Sequence, residues 1–196
     1  KMYVTIDEEV PKFIWNQFPP QLETLHINRN LQPICACHFE IQDPNPSLTK
    51  LHLDESLHDS LISCFSALLP QLDHFQTSHF VQAWAKPLSL ADRLQYLKLE
   101  AVEKIDSDMF LALPMEHLLK LHLSFQNIDA SPLCHFLRRQ TYLQALRITV
   151  ALNDKEADYS ELFETCAQFE HLGVLYLLGW VDSIPKCTHL LRLILE

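Results

Sequence analysis

Hydrophobic and polar positions recur along this chain in one short phrase. Leu118, Leu121 and Leu123 are spaced Leu-x-x-Leu-x-Leu, and the same spacing joins Leu94, Leu97 and Leu99 before them and Leu143, Leu146 and Ile148 after them. Further copies stand at Leu22, Leu25 and Ile27; at Leu48, Leu51 and Leu53; at Leu172, Leu175 and Leu177; and at Leu190, Leu193 and Leu195. Leu72, Phe75 and Thr77 form a weaker one. From first position to first position the steps are 26, 24, 22, 24, 25, 29 and 18 residues. A near-constant period in the twenties marks a repeat architecture, in which each unit buries its apolar face against its neighbours. The last two apolar positions of each copy are two residues apart, the side-chain period of a strand, so every copy predicts a short β-strand.

Between strands the chain has to cross the molecule and return. Leu57, Leu61, Ile62, Phe65 and Leu68 follow a helical stripe, with Asp54 or Ser56 placed to cap it and Pro70 to end it. Ser131-Pro132 reads as an N-cap followed by a first-turn proline, opening a helix that buries Leu133, Phe136 and Leu137. Asp158 opens a third helix, burying Leu162, Phe163 and Cys166, and 10–18 and 106–113 are shorter candidates. Two crossings break the pattern. Residues 31–47 alternate, with Cys35, Cys37, Phe39 and Ile41 on one side, which predicts an extended return. Residues 78–93 have no clean period, and Trp84, Pro87 and Leu90 are expected to pack irregularly. The 29-residue step carries an extra acidic loop near 152–160. Val4 and Ile6 stand twenty-one residues before Leu25 and Ile27, which predicts a further strand over 3–6 in that register.

The phrase and its period resemble those of the leucine-rich-repeat superfamily. The resemblance implies an α/β solenoid: a curved parallel sheet on the concave side, with short helices and irregular crossings on the convex side. It implies one domain of about eight repeats over 1–196, with seven to nine strands in a right-handed arc. Because the chain starts and stops within a repeat, with no polar cap, it is expected to be an excerpt of a longer protein. Extracellular members place Asn three positions after the last strand leucine. Here that position holds Asn30, Ser56, Phe80, Val102, Gln126, Ala151 and Trp180. Helical crossings and periods of 24 to 26 are more similar to intracellular leucine-rich repeats, including those of F-box substrate adaptors. The F-box itself is not in this sequence. The superfamily is a binding scaffold with many uses, so the fold does not name a partner.

Composition bears on compartment. Six cysteines are too few for a small disulfide-stapled domain. Cys64 and Cys134 occupy the same position in repeats three apart, roughly 15 Å from each other at 4.8 Å per strand, beyond the reach of a disulfide. Buried free thiols and the absence of an Asn-x-Ser/Thr acceptor, since Asn45 is followed by Pro46, predict a cytoplasmic or nuclear protein. No apolar run is long enough to span a membrane, and Asp7, Glu8 and Glu9 stand where a secretory signal would be basic or apolar. Only two glycines, Gly173 and Gly179, leave turns to Pro, Asp and Asn.

Catalytic and metal chemistry is poorly supplied. Cys35-Ala36-Cys37-His38 is the one metal-like cluster, and its Cys-x-Cys spacing is too short and has no second ligand pair. Two glycines cannot build a phosphate-cradling loop, and neither a Gly-x-Ser-x-Gly elbow nor a His-Glu-x-x-His helix occurs. No cofactor, no metal and no enzymatic activity are expected.

What remains is the face opposite the leucines, which in a leucine-rich-repeat solenoid looks out from the concave sheet. Its two positions per strand hold Thr24 and His26, Lys50 and His52, His74 and Gln76, Tyr96 and Lys98, Lys120 and His122, Ala145 and Arg147, Val174 and Tyr176, then Arg192 and Ile194. Five of the sixteen are Lys or Arg, four are His and none is acidic, where the composition of the chain predicts about two cationic or His residues. Depletion of acids from strands explains only part of this. On a chain of formal charge −10, such a stripe predicts a negative partner. His26, Lys50, His52, His74, Tyr96, Lys98, Lys120, His122, Arg147, Tyr176 and Arg192 are the candidate binding residues. Their expected ligand is an acidic or phosphorylated protein segment, held as a ubiquitin-ligase substrate adaptor or a similar assembly would hold it. The alternatives are nucleic acid, with Tyr96 and Tyr176 stacking on bases, and a scaffold or bacterial-effector interaction domain. The histidines are expected to gain charge as pH falls towards 6.

Overall fold

The computed structural model describes residues 2–6, 19–29, 45–54, 62, 65–102, 110, 113, 116–125, 130–150, 160–178 and 192–195. Each copy of the leucine phrase enters a strand, as its spacing predicts. The strands are β1 (Met2–Ile6), β2 (Thr24–Arg29), β3 (Lys50–Leu53), β4 (His74–Thr77), β5 (Tyr96–Val102), β6 (Lys120–Phe125), β7 (Ala145–Val150), β8 (Val174–Leu178) and β9 (Arg192–Leu195). They form one sheet, all parallel, in sequence order from β1 to β9. The protein is therefore α/β, with every crossing returning beside the strand it left.

Register follows from the apolar positions. Leu25, Leu51, Phe75, Leu97, Leu121, Leu146, Leu175 and Leu193 are successive partners, so one column runs through eight strands. Every one whose side chain is described is buried. The first leucines of the phrase, Leu22, Leu48, Leu72, Leu94, Leu118, Leu143 and Leu172, are buried as well. Carbonyls one residue before the strands lock this arrangement. Those of Glu23, Thr49, Asp73, Gln95, Leu119 and Gln144 each accept two N–H groups from the next copy, at 2.8–3.1 Å. These pairings occupy backbone groups that burial would otherwise leave costly. Thr77 ends the weak copy and is buried too. Its hydroxyl donates to the His79 carbonyl at 3.0 Å, which removes the penalty for a polar group there.

The N-terminal strand differs in register from the expectation. Met2, not Val4, pairs with Leu25, and Val4 pairs with Ile27. The slip is two residues, which preserves the face of every side chain and so is weakly opposed by the alternating pattern. With few glycines, side-chain amides close the turns. Asn45 Oδ1 accepts from Ser47 N–H at 3.0 Å and its Nδ2 donates to the Pro19 carbonyl, while Gln71 Nε2 donates to the carbonyls of Asn45 and Leu48.

The described crossings are short helices. α1 (Ala85–Leu88) follows a 3₁₀ turn at Gln82–Trp84; α2 is Ala130–Arg138 and α3 is Ser160–Ala167. Residues 78–93 are thus more regular than their sequence suggests. Trp84 and Leu88 are buried there, whereas Leu90 is 53% exposed and does not pack. α2 begins at Ala130, so Ser131 lies inside the first turn rather than capping it. Pro70 sits in a 3₁₀ turn, Leu69–Gln71. α2 buries Leu133, Cys134, Phe136 and Leu137 and α3 buries Leu162, Phe163 and Cys166, all within one hydrophobic core, and α3 also buries Thr165. Neither Cys134 nor Cys166 is in a disulfide, and burial pushes the Cys134 thiol up. Cys64, the Cys35-Cys37-His38 cluster, the candidate helix at 10–18, the extended return at 31–44 and the acidic loop at 152–159 lie outside the described residues. No helix among the described residues is long and apolar enough to cross a membrane.

Candidate functional site

Alternation in the strands divides the sheet into a leucine face and an outward face. In β3, Leu51 and Leu53 are buried while Lys50 is exposed and His52 half-buried, and β6 repeats the pattern with Lys120 exposed and His122 half-buried. Register then sorts the outward residues into two rows. The first runs Thr24, Lys50, His74, Tyr96, Lys120, Ala145, Val174, Arg192. The second runs His26, His52, Gln76, Lys98, His122, Arg147, Tyr176, Ile194. All eleven candidate residues occupy these rows; for Arg192 only the backbone register is described.

The two halves of this face differ chemically. Across β2 to β5 the rings form a ladder. His26 and His52 have centroids 5.5 Å apart, His52 and His74 stack at 4.9 Å within 8° of parallel, and His74 and Tyr96 stack at 3.8 Å within 10°. The His52–His74 step crosses from one row to the other, a diagonal contact that rings are long enough to make. Farther along the sheet Lys98, Lys120 and Arg147 stand among His122, Ala145, Val174 and Tyr176. Arg147 lies with its guanidinium carbon 4.2 Å from the centroid of the Tyr176 ring, a cation–π contact that holds the side chain over the second row.

Charge on the face is less uniform than the two positions per strand suggest. One more step of alternation brings Asp54 and Glu100 onto the same side. The Glu100 carboxylate receives Lys98 Nζ at 2.9 Å, and Asp54 pairs with His26 Nε2. The expected stripe without acids is therefore corrected at both residues. Among the described residues, Lys50, Lys120 and Arg147 are the exposed cations of the face with no carboxylate in ion-pair reach. Reading the alternation one position past the last leucine would have found both acids.

The titration expectation is corrected at His74 and His122. His74 is lowered to about 4, first by burial and then by His52, Lys50 and Lys120. His122 is lowered to about 4, first by burial and then by Arg147 and Lys98, with Glu100 opposing. Both are neutral at pH 7 and stay so at pH 6, because a proton would enter a partly desolvated site beside existing cations. Burial and Glu100 together push the Tyr96 phenol up, against Arg147. Lys50, Lys120 and Arg147 thus present fixed charge beside the neutral rings of His74 and His122.

Other features are less distinctive. A groove of about 390 Å³ lies before the strands, lined by Asp73, Arg93, His117, Leu119 and Tyr142, and a neighbouring one of about 490 Å³ by Arg138, Phe169 and His171. Arg93 of the first pairs with Asp73 at 3.5 Å, and Arg138 of the second with Glu161 at 3.0 Å. Among the described residues no group of three or more His, Cys, Asp or Glu is placed to hold a metal ion. Compared with known protein families and with curated proteins, the chain matches none.

Proposed function

We propose that this chain is a leucine-rich-repeat solenoid that binds an acidic or phosphorylated segment of another protein on the outward, concave face of its sheet and catalyses no reaction. The observation that carries the reading is the trio Lys50, Lys120 and Arg147, exposed and without carboxylate partners among the described residues, on a chain of net charge −10. Cations gathered on one face of an acidic molecule focus positive potential there and draw an anion. Strand order that follows the sequence, together with the stacked leucine column, supports the solenoid. The likeness to F-box substrate adaptors supports a narrower form, in which the bound segment belongs to a ubiquitin-ligase substrate and the chain works inside a cell.

Nucleic acid fits the face less well. His74 covers one face of Tyr96 and the Arg147 guanidinium one face of Tyr176, so neither ring has both faces open to a base. The acidic remainder of the chain also repels a long polyanion.

The test is position-specific photo-crosslinking in cell extract. A benzophenone amino acid replaces Gln76 or Ala145 on the outward face, or Arg138 on α2 as a control. The same protein should be captured from the outward positions and not from Arg138, and capture should weaken with salt, which screens exposed charges over roughly 8–10 Å. Capture from Arg138 alone, or none from the face, refutes the reading; an adaptor would also bring ubiquitin-ligase subunits into the captured set.

A further inference from the structure

We infer that Lys120, His122 and Arg147 form a phosphoryl-binding subsite on the outward face, taking a phosphoserine or phosphothreonine monoester of a partner protein. The assignment rests on the interaction reading above and narrows it to one place and one anion.

Three arguments locate it. His122 and Arg147 are register partners on adjacent strands, and Lys120 stands two residues before His122 on the same face. Adjacent strands are roughly 4.8 Å apart and alternate residues of one strand roughly 6.7 Å, so these three side chains border a space the size of a phosphoryl group. Secondly, the cations there are available. Lys120 and Arg147 are exposed with no carboxylate partner among the described residues, whereas Lys98, on the other side of His122, is held by Glu100. Thirdly, Arg147 is already positioned, its guanidinium resting 4.2 Å from the Tyr176 ring, so less side-chain freedom is lost when an anion binds.

The donor set favours phosphate over carboxylate. Arg147 offers a planar fork suited to two oxygens of one anion. His122 is neutral at pH 7 and so contributes one N–H donor without a charge that its neighbours would oppose. Lys120 adds a point charge with freely rotating donors. A phosphomonoester has three strong acceptor oxygens and a charge near −2, enough to use all three groups; a carboxylate has two oxygens and half the charge. The ring ladder over β2 to β5 holds no comparable set, because His26 is engaged with Asp54 and His74 with its stacked neighbours.

The experiment is an NMR titration of the full chain, following the His122 ring and the Arg147 Nε–H. The probes are an alanine pentapeptide with a central phosphoserine, its unphosphorylated and glutamate counterparts, and inorganic phosphate. The phosphopeptide should shift both residues saturably and leave His26 unmoved, with the glutamate peptide about tenfold weaker. Arg147→Lys keeps the charge at an exposed site but removes the fork, and should weaken the phosphopeptide to the level of the glutamate peptide. Equal binding of the two peptides, full retention in Arg147→Lys, or no shift overturns the assignment. Shifts with inorganic phosphate but not with the phosphopeptide overturn the protein source of the anion. Face-specific crosslinks that persist while the phosphopeptide fails would remove this subsite and leave the interaction reading standing.

Discussion

Protonation of single residues links the outward face to stability. His74 and His122 keep values near 4 in the folded chain, against the ordinary histidine value of 6.5 that the unfolded chain restores. Between those values the unfolded chain binds protons that the folded chain refuses, so stability rises with pH. Their contribution is complete above pH 6.5 and is lost as pH falls from 6.5 towards 4. Urea denaturation at a series of pH values should show this loss, and the double variant His74→Gln/His122→Gln should flatten it; a double variant with the original slope would contradict the account. Lys50→Ala should raise the His74 midpoint in an imidazole titration, because Lys50 is one of the charges opposing its proton. Gln140 gives a second test. It is fully buried, its Nε2 donates to the Phe136 carbonyl at 3.4 Å and its Oε1 has no partner among the described residues. An unpaired buried carbonyl costs about 1–3 kcal/mol, so Gln140→Met should stabilise the fold by about 1 kcal/mol in the same denaturation assay. At this scale the sequence was half legible: alternation named the eleven face residues, but the pairing of Lys98 with Glu100 and the low histidine values depend on rotamer and burial, which spacing alone does not contain.

Strands were more legible than the segments between them. The leucine phrase carries both the strand period and the register, since Leu25, Leu51, Leu97, Leu121, Leu146 and Leu175 are chemically equivalent and bury only when aligned. Helix starts depend on caps worth about 1 kcal/mol, and tertiary packing readily moves them, as at Ala130 against Ser131. Residues 78–93 escaped because a 3₁₀ turn followed by one helical turn has no period long enough to read. The same ranking predicts energies. Leu121→Ala, in the buried column of β6, should cost about 2–5 kcal/mol. Arg138→Ala breaks only an exposed ion pair to Glu161 between α2 and α3 and should cost at most about 1 kcal/mol. Equal losses in the two variants would mean that the leucine column does not dominate the core.

At the scale of the whole molecule, among the described residues, β1 and β9 each have one strand neighbour and β2 to β8 have two. Stability that depends on nearest-neighbour contacts is then lowest at the two ends. Amide exchange should be slowest in β5, β6 and β7 and fastest in β1 and β9; uniform protection would argue for one indivisible cooperative unit. The fold reading and the functional reading separate at this scale too, because the leucines that build the sheet leave its outward face free to vary. The central claim is that this face holds the partner. Its most direct measurement is quantitative affinity capture from cell extract with the intact chain and with the variant Lys50→Glu/Lys120→Glu/Arg147→Glu, both shown by circular dichroism to be folded. The account predicts that the protein crosslinked from Gln76 and Ala145 is held by the intact chain, released by salt and absent from the variant. Equal capture by the variant would contradict it.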